Sequence, residues 1–500
     1  MGIIAKQSIY NTLSILFAFT LGAINTLFLY PSILNQTLYG LIATLLAFSN
    51  ILQPILSFGV QHTLIKFYSS CNSEKEKNSL LFFSIIVPLL IIIPISILFT
   101  INYQSIALYL SSENELIYNY FFLIIFISIA TAYFEIFYSW MKINKKTIIG
   151  NFLKEVYPRV LTCVLLVLFF FQVLNFRIFV FSLIIGYYIR LVIIIFLATR
   201  NFKTFLNFKI KLVSTKWIKY SSFIFLSAFA ASVIIDIDKS MISKLLALEN
   251  VAYYAVGVFI AAVIDAPSRA MFQIINPLVS EALSQKNINR LEELLKKSSL
   301  NLFLVSGLIF LIINTNIDSI YELIQSINQI DGYSAAIPVV LIISISKLYS
   351  SSIGCVNNII TNSNYYYYIL FFSIASAISV FLLNIYFIKT SGIVGAAFAT
   401  LIVISVFNFL KIILVINKFK IQPYSYKTLK LSCLIGGLYL LFSNISFNFL
   451  PIISSLIFKS LIISIIYLTI SYYLNFSLEI NKIINSILKK IRHTKGSMPD

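Results

Sequence analysis

The chain has 500 residues, of which 59% are hydrophobic and 11% charged. Globular chains carry roughly 25% charged residues, and apolar runs of about 20 residues mark membrane spans, so the composition excludes a soluble domain and predicts a polytopic membrane protein. A formal charge of +19 would suggest nucleic acid in a soluble protein; here it reflects lysines kept on the cytoplasmic side, and no nucleic-acid partner is expected.

The N-terminus, MGIIAKQSIYNTLSILFAFTLGAINTLFLY, has a lone Lys6 and a long apolar segment without a clear small-residue cleavage site. It predicts a retained first span, not a cleaved signal. Fourteen apolar segments are long enough to cross: about 9–30, 39–61, 80–102, 116–138, 156–174, 178–199, 218–236, 251–275, 300–321, 335–360, 365–388, 392–417, 429–448 and 451–474. An even count puts both termini on one side of the membrane.

The basic residues choose the side. With the N-terminus cytoplasmic, 27 of the 37 Lys and Arg fall on inside segments and their edges, and only Arg177, Lys239, Lys244 and Lys389 fall outside. The positive-inside rule therefore orients both termini to the cytoplasm. The remaining six, Arg159, Arg190, Arg269, Lys347, Lys411 and Lys459, lie within spans.

The longest basic run, Arg200 to Lys219, separates six spans from the next six. This predicts a six-helix bundle at 1–199, a cytoplasmic linker loop at 200–217, a second six-helix bundle at 218–417, two additional spans at 418–474 and a cytoplasmic amphipathic tail at 475–500. The halves share a weak internal similarity. Leu38-Tyr39-Gly40 opens span two and Gln53-Pro54 interrupts it, while Tyr253-Tyr254 opens span eight and Asp265-Ala266-Pro267 interrupts that one. Breaks at matching places are the pattern of parallel transporter repeats.

The stretch from Ile234 to Leu283, IIDIDKSMISKLLALENVAYYAVGVFIAAVIDAPSRAMFQIINPLVSEAL, concentrates the charges and the proline that are costly in lipid, so a site is expected around it. Cys71, Cys163, Cys355 and Cys433 are scattered, and only His62 and His493 are present, so no disulfide frame or metal centre is implied. No Walker loop, dinucleotide-binding glycine fingerprint, zincin pair or nucleophile elbow occurs, and no catalytic residue is expected.

The fourteen-span pattern, the DIDKSMISKLLALENVAYYAVG turn, INPLVSEAL after span eight and SGIVGAAFATLIV opening span twelve resemble bacterial polysaccharide-biosynthesis exporters. These are the lipid-linked oligosaccharide (O-antigen type) flippases of the multidrug/oligosaccharidyl-lipid/polysaccharide (MOP) exporter superfamily. The resemblance covers about residues 5–475. It implies an all-α, MATE-like integral membrane protein: two pseudo-symmetric bundles forming a V around a cavity that opens inward, then outward. It also implies an undecaprenyl-pyrophosphate-linked glycan as cargo in the bacterial inner membrane for O-antigen and lipopolysaccharide assembly. H+ or Na+ would be the coupling ion, with no cofactor. Membrane lipids, a polysaccharide polymerase and chain-length proteins would be the partners.

A diphosphate moving through a hydrocarbon layer of about 30 Å needs cations in a watery cleft. The candidate substrate-binding residues are Lys347, Arg269, Arg190 and Arg159. Lys347 stands mid-span, facing a cavity or an ion-pair partner; Arg190 lies past the middle of span six. Arg159, beside Lys154 and Glu155, also reads as a snorkelling interface residue. Asp265 and Asp236 are the candidate cation-coupling residues. Against this, Asp265 and Arg269, four apart, share a helix face and can neutralise each other, and Asp236 and Asp238 can sit in a solvated turn balanced by Lys239. Glu135 is expected to pair with a loop lysine, and Lys411 and Lys459 to snorkel or pack.

Two readings of the same superfamily stay open, a lipid II flippase and a cation-coupled multidrug exporter. The exporter would favour an acidic cavity, whereas the charges within these spans are mostly basic. A membrane glycan polymerase or ligase would need a large periplasmic loop; the longest outer loop, about Ile237 to Asn250, cannot hold a domain.

Overall fold

The computed structural model describes residues 14–71, 73–144, 146–200, 214–328, 332–445, 447, 450–477 and 481. Lys6, most of the predicted linker and most of the predicted tail lie outside the described residues. Among those described, the regular structure is helical throughout, as lipid demands of a chain whose backbone groups must be bonded within each segment.

The long helices are α1 (Ser14–Ile33), α2 (Gln36–Ser57), α3 (Glu74–Ile101), α4 (Phe122–Ile143), α5 (Tyr157–Phe170), α6 (Phe176–Thr199), α7 (Thr215–Leu245), α8 (Leu248–Ser284), α9 (Ile288–Thr315) and α10 (Ile337–Ser352). Tyr367–Phe419 is helical except at Ser391 and at Gly392, where φ is +58°. A Cβ on Gly395 would collide with the Phe387 carbonyl. The chain therefore doubles back there, making α11 (367–390) and α12 (393–419) two spans. α13 (Tyr426–Ser443) and α14 (Ile452–Tyr473) complete the set. Each of the fourteen predicted segments has its helix. Eleven stretches meet the length and apolarity of a crossing helix, α11 and α12 counting together; α5 and α13, with 14 and 18 residues, fall outside that group. The chain is a multi-pass membrane protein of all-α fold.

Polar residues set the helix starts. Asn35 accepts from the Leu38 amide at 2.8 Å, Asn175 from that of Ile178 at 2.9 Å and Asn287 from that of Arg290 at 2.9 Å, each satisfying a donor the first turn leaves open. Two of the boundaries that differ from expectation bear on the site. Span seven does not end at 236: α7 runs on to Leu245, so Asp236 and Asp238 lie inside a helix and not in a solvated turn. Apolar periodicity stopped there because the acids themselves broke it. The interruption of span two falls after Gln53-Pro54, at Phe58 and Gly59, both left-handed with φ of 49° and 64°. Pro54 lies in the last turn of α2, and the backbone reverses only beyond it, at Phe58 and Gly59.

Two compact units pack separately. Unit one comprises 1–259, 327–336 and 370–399; unit two comprises 260–326, 337–369 and 400–500. In unit one α2 packs along α4 and α7. Its apolar core around Phe83, Phe134, Trp140 and Trp217 is crossed by hydroxyl links, Thr63 to Ser221 at 2.6 Å and Trp140 to Ser84 at 3.1 Å. In unit two α9 is the hub for α10, α13 and α14. Gly307 leaves room there for Ile435 and Tyr467, and the Tyr467 hydroxyl donates to the Leu304 carbonyl at 2.8 Å. Large apolar side chains such as Phe170, Ile101 and Leu440 are exposed, as expected of surfaces that face lipid.

Gly59 packs directly on α7: a Cβ would come within 2.9 Å of the Ser221 carbonyl and 2.8 Å of the Phe225 amide. Gly59→Val should cost at least about 2 kcal/mol from strain and overpacking together. Gly437→Val, in open space, should leave thermal unfolding in detergent nearly unchanged. Equal midpoints for the two variants would contradict this packing.

Candidate functional site

Three polar constellations interrupt the apolar interiors. The first, in unit one, is built on α1, α4, α5 and α6. α1 loosens into a π-helical turn at Ile24–Leu29, a local distortion often found at functional sites. Its buried Asn25 donates through Nδ2 to the Arg159 carbonyl at 2.8 Å and to Thr162 Oγ1 at 2.9 Å, pinning the start of α5. The Arg159 guanidinium turns to Glu155 Oε2 at 3.3 Å and stays part-exposed. Gly22 leaves the space it occupies, since a Cβ would stand 3.0 Å from Arg159 Nε.

Arg190 is different. It is 4% exposed, and its guanidinium carbon lies 4.2 Å from the Phe134 ring centroid and 4.7 Å from that of Tyr187. Nη2 reaches Thr131 Oγ1 at 3.5 Å and Nε has no hydrogen-bond partner. Among the described residues no carboxylate lies within ion-pair distance of it. A desolvated, uncompensated cation costs several kcal/mol, which two ring faces offset in part, by about 2 kcal/mol or more each when desolvated. Glu135 pairs with Lys154 at 2.6 Å, on the short helix Thr147–Glu155, as its position suggested.

The second constellation, also in unit one, lies near the far end of α7. Asp236, 5% exposed, accepts from Asn50 Nδ2 at 3.1 Å and pairs with Lys239 Nζ at 2.9 Å. Asp238, 4% exposed, accepts from Asn384 Nδ2 at 2.7 Å and from the Tyr254 hydroxyl. Asn384 is fully buried and its Oδ1 has no partner. Asn50, Tyr254 and Asn384 were not singled out in the sequence, although the two asparagines stand alone in apolar runs (LLAFSNILQP and FLLNIYF). Such a buried amide needs a polar partner. Among the described residues no group of three or more His, Cys, Asp or Glu could hold a metal ion; a site here would draw on carboxylate, amide and phenol oxygens.

The third constellation holds the break in α8, in unit two. Val263–Asp265 is a 3₁₀ turn before Pro267. Ser306 of α9 donates to the freed Ile264 carbonyl at 2.9 Å, its Oγ lies 3.0 Å from Ser351 Oγ, and Ser351 lies 3.3 Å from Ser268. The kink is thus fastened by hydroxyls. Ser268 precedes Arg269, and Ser351 follows Lys347 by one turn, so Arg269 and Lys347 stand on helices that meet at this knot. The Arg269 side chain is 55% exposed and sits 3.8 Å from Asp265: the expected pair forms, loosely. Lys347 is half-buried with no carboxylate at ion-pair distance among the described residues. Lys459 is buried and donates to the Thr315 carbonyl at the C-terminus of α9, a capping role.

The profile of the polysaccharide biosynthesis protein family matches residues 4–283. The chain belongs to this family. Its fold is that of the MOP superfamily. It superposes on the lipid II flippase MurJ in an inward closed conformation with a TM-score of 0.71 at 16% identity, covering 93% of this chain and 99% of that one. An inward-facing MATE family multidrug transporter gives 0.59 at 14% identity over 84% and 95% of the chains, and the Vibrio cholerae MATE transporter VcmN gives 0.57 at 16% over 81% and 95%. No curated protein matches by sequence.

Replacing Arg190 by Met removes an uncompensated buried charge while keeping its length. Arg190→Met should unfold at the same temperature or higher, by about 1–4 kcal/mol of stability. A loss of several kcal/mol in detergent would mean that stacking outweighs desolvation.

Proposed function

We propose that this chain is a flippase. It moves an undecaprenyl-pyrophosphate-linked oligosaccharide across the bacterial inner membrane by alternating access, for O-antigen-type surface polysaccharide and lipopolysaccharide assembly. The observation that carries this reading is cations held inside apolar helices without fixed carboxylates, in a chain of the polysaccharide biosynthesis family. Arg190 and Lys347 have no ion-pair partner among the described residues, and Arg269 has only a loose one. A mobile diphosphate is the complement such groups lack. The basic excess also disfavours a multidrug exporter for cationic compounds.

Under this reading Arg269 and Lys347 meet the diphosphate, Arg190 supplies a further cation for it, and Arg159, neutralised by Glu155, helps set the approach. A coupling H+ or Na+ is assigned to the buried acids of α7, Asp236 and its neighbour Asp238, with Asp265 the weaker candidate because it is more exposed and already faces Arg269. Both termini are cytoplasmic, and a polymerase and chain-length proteins take the cargo on the outer face.

Lys347→Ala and Arg269→Ala should each lower surface glycan more than tenfold, the value of a single charge-assisted contact of about 1.5–3 kcal/mol, while the protein accumulates normally in the membrane. Deleting the gene should remove surface glycan and trap full-length lipid-linked repeat units on the cytoplasmic face. Short units that still reach the outer face would instead indicate a polymerase. Arrested cell-wall synthesis with intact surface glycan would indicate lipid II as cargo.

A further inference from the structure

The sequence leaves four basic residues on its lysine-poor side, and two of them, Lys244 and Lys389, line one pocket within unit one. The pocket has a volume of about 430 Å³, inside the range of small-molecule and lipid sites. Its mouth is set by Lys244 near the end of α7, Lys389 at the end of α11 and Tyr109 of the short helix Tyr103–Leu110. The Lys244 ammonium sits 2.8 Å from the Tyr109 ring centroid. Apolar side chains make up most of the rest of the lining, among them Phe48 of α2, Met241 of α7 and Phe381 of α11. At about 1.5 Å per helical residue, Phe381 lies some 12 Å beneath Lys389, a depth suited to an acyl chain.

Two further features bear on the occupant. Tyr109, Phe381 and Ile385 are exposed large apolar side chains, so the pocket opens toward lipid. Its rim is also braced: Asn114 Nδ2 donates to the Ser243 carbonyl at 2.6 Å and the Leu246 carbonyl at 3.0 Å, and its Oδ1 accepts from the Leu248 amide at 3.2 Å. The backbone on both sides of Lys244 is therefore held before anything binds. Lysines are disfavoured on the outer side of a membrane protein, so two lining one largely apolar pocket point to an anionic occupant with an apolar part.

We propose that this pocket binds an anionic glycerophospholipid of the outer leaflet, its phosphate between Lys244 and Lys389 and one acyl chain against Phe48, Met241 and Phe381. The inference rests on the proposed orientation, with the lysine-poor side outward, and on the chain spanning a membrane. It holds whatever the cargo is, and places a lipid beside the α7 segment that carries Asp236 and Asp238.

The test is native mass spectrometry of the delipidated full chain titrated with phosphatidylglycerol, and separately with zwitterionic phosphatidylcholine. A lysine near a membrane surface is worth about a fivefold factor toward an anionic head group, so the Lys244→Gln, Lys389→Gln double variant should bind phosphatidylglycerol roughly 30-fold more weakly. Phosphatidylcholine, whose choline offsets the charge of its phosphate, should bind the native chain more weakly than phosphatidylglycerol and lose less in the double variant. The corresponding double Arg variant should retain binding, which covers the case in which the Gln variant misfolds. Met241→Trp, which fills the floor but keeps both lysines, should also expel the lipid. Undiminished phosphatidylglycerol binding in the double Gln variant would overturn the proposal. So would tight binding of inorganic phosphate without lipid, which would reduce the pocket to an anion site. Preference for undecaprenyl phosphate over phosphatidylglycerol would make it a cargo subsite and overturn it equally.

Discussion

A polar group within a membrane-crossing helix must find its partner inside the protein or in water, because hydrocarbon offers none. The architecture follows from that constraint. It makes the chain helical, places asparagines at helix starts, and turns each interruption of a span into a small hydrogen-bonded structure. The break in α8 is closed by Ser306 of α9 and by Ser351 of α10, and the end of α9 is closed by the buried Lys459 of α14. These links cross between helices, so they fix packing as well as satisfy backbone.

The same constraint separates structural charges from candidates for function. Lys154 with Glu135, Arg159 with Glu155 and Lys459 with a carbonyl are each neutralised or bonded locally. Arg190 is held by two aromatic faces and one long hydrogen bond, and Lys347 has no carboxylate at ion-pair distance among the described residues. Charge left without a fixed counterion is what a carrier of an anionic head group requires. A permanent salt bridge would compete with the cargo, and desolvation makes the uncompensated state costly enough to favour a bound anion.

Fold class and span number were legible in the sequence because runs of about 20 apolar residues have few alternative meanings. Even the tight reversal at Gly392 was marked by the dip in hydropathy between spans eleven and twelve. The site was legible only in part. Depth within a span singled out Arg190 and Lys347 as candidates, and spacing predicted the Asp265–Arg269 pair that forms. The α7 acids were misread, since two carboxylates two residues apart end an apolar run whether they leave the helix or turn inward. What turns them inward is Asn50, Tyr254 and Asn384, which come from three other helices. One-dimensional periodicity carries no record of such pairings. A lone amide in an apolar run is the one local sign, and Asn384 carried it.

The central claim is that this chain itself carries an anionic, glycan-bearing lipid across a bilayer. The most direct measurement reconstitutes the purified protein in vesicles containing a fluorescent diphosphate-linked oligosaccharide lipid and follows access of a membrane-impermeant lectin to the inner-leaflet fraction. The account predicts that this protected fraction becomes accessible far faster than in protein-free vesicles, and that the same lipid lacking its diphosphate is left behind. Equal rates with and without the protein would contradict it.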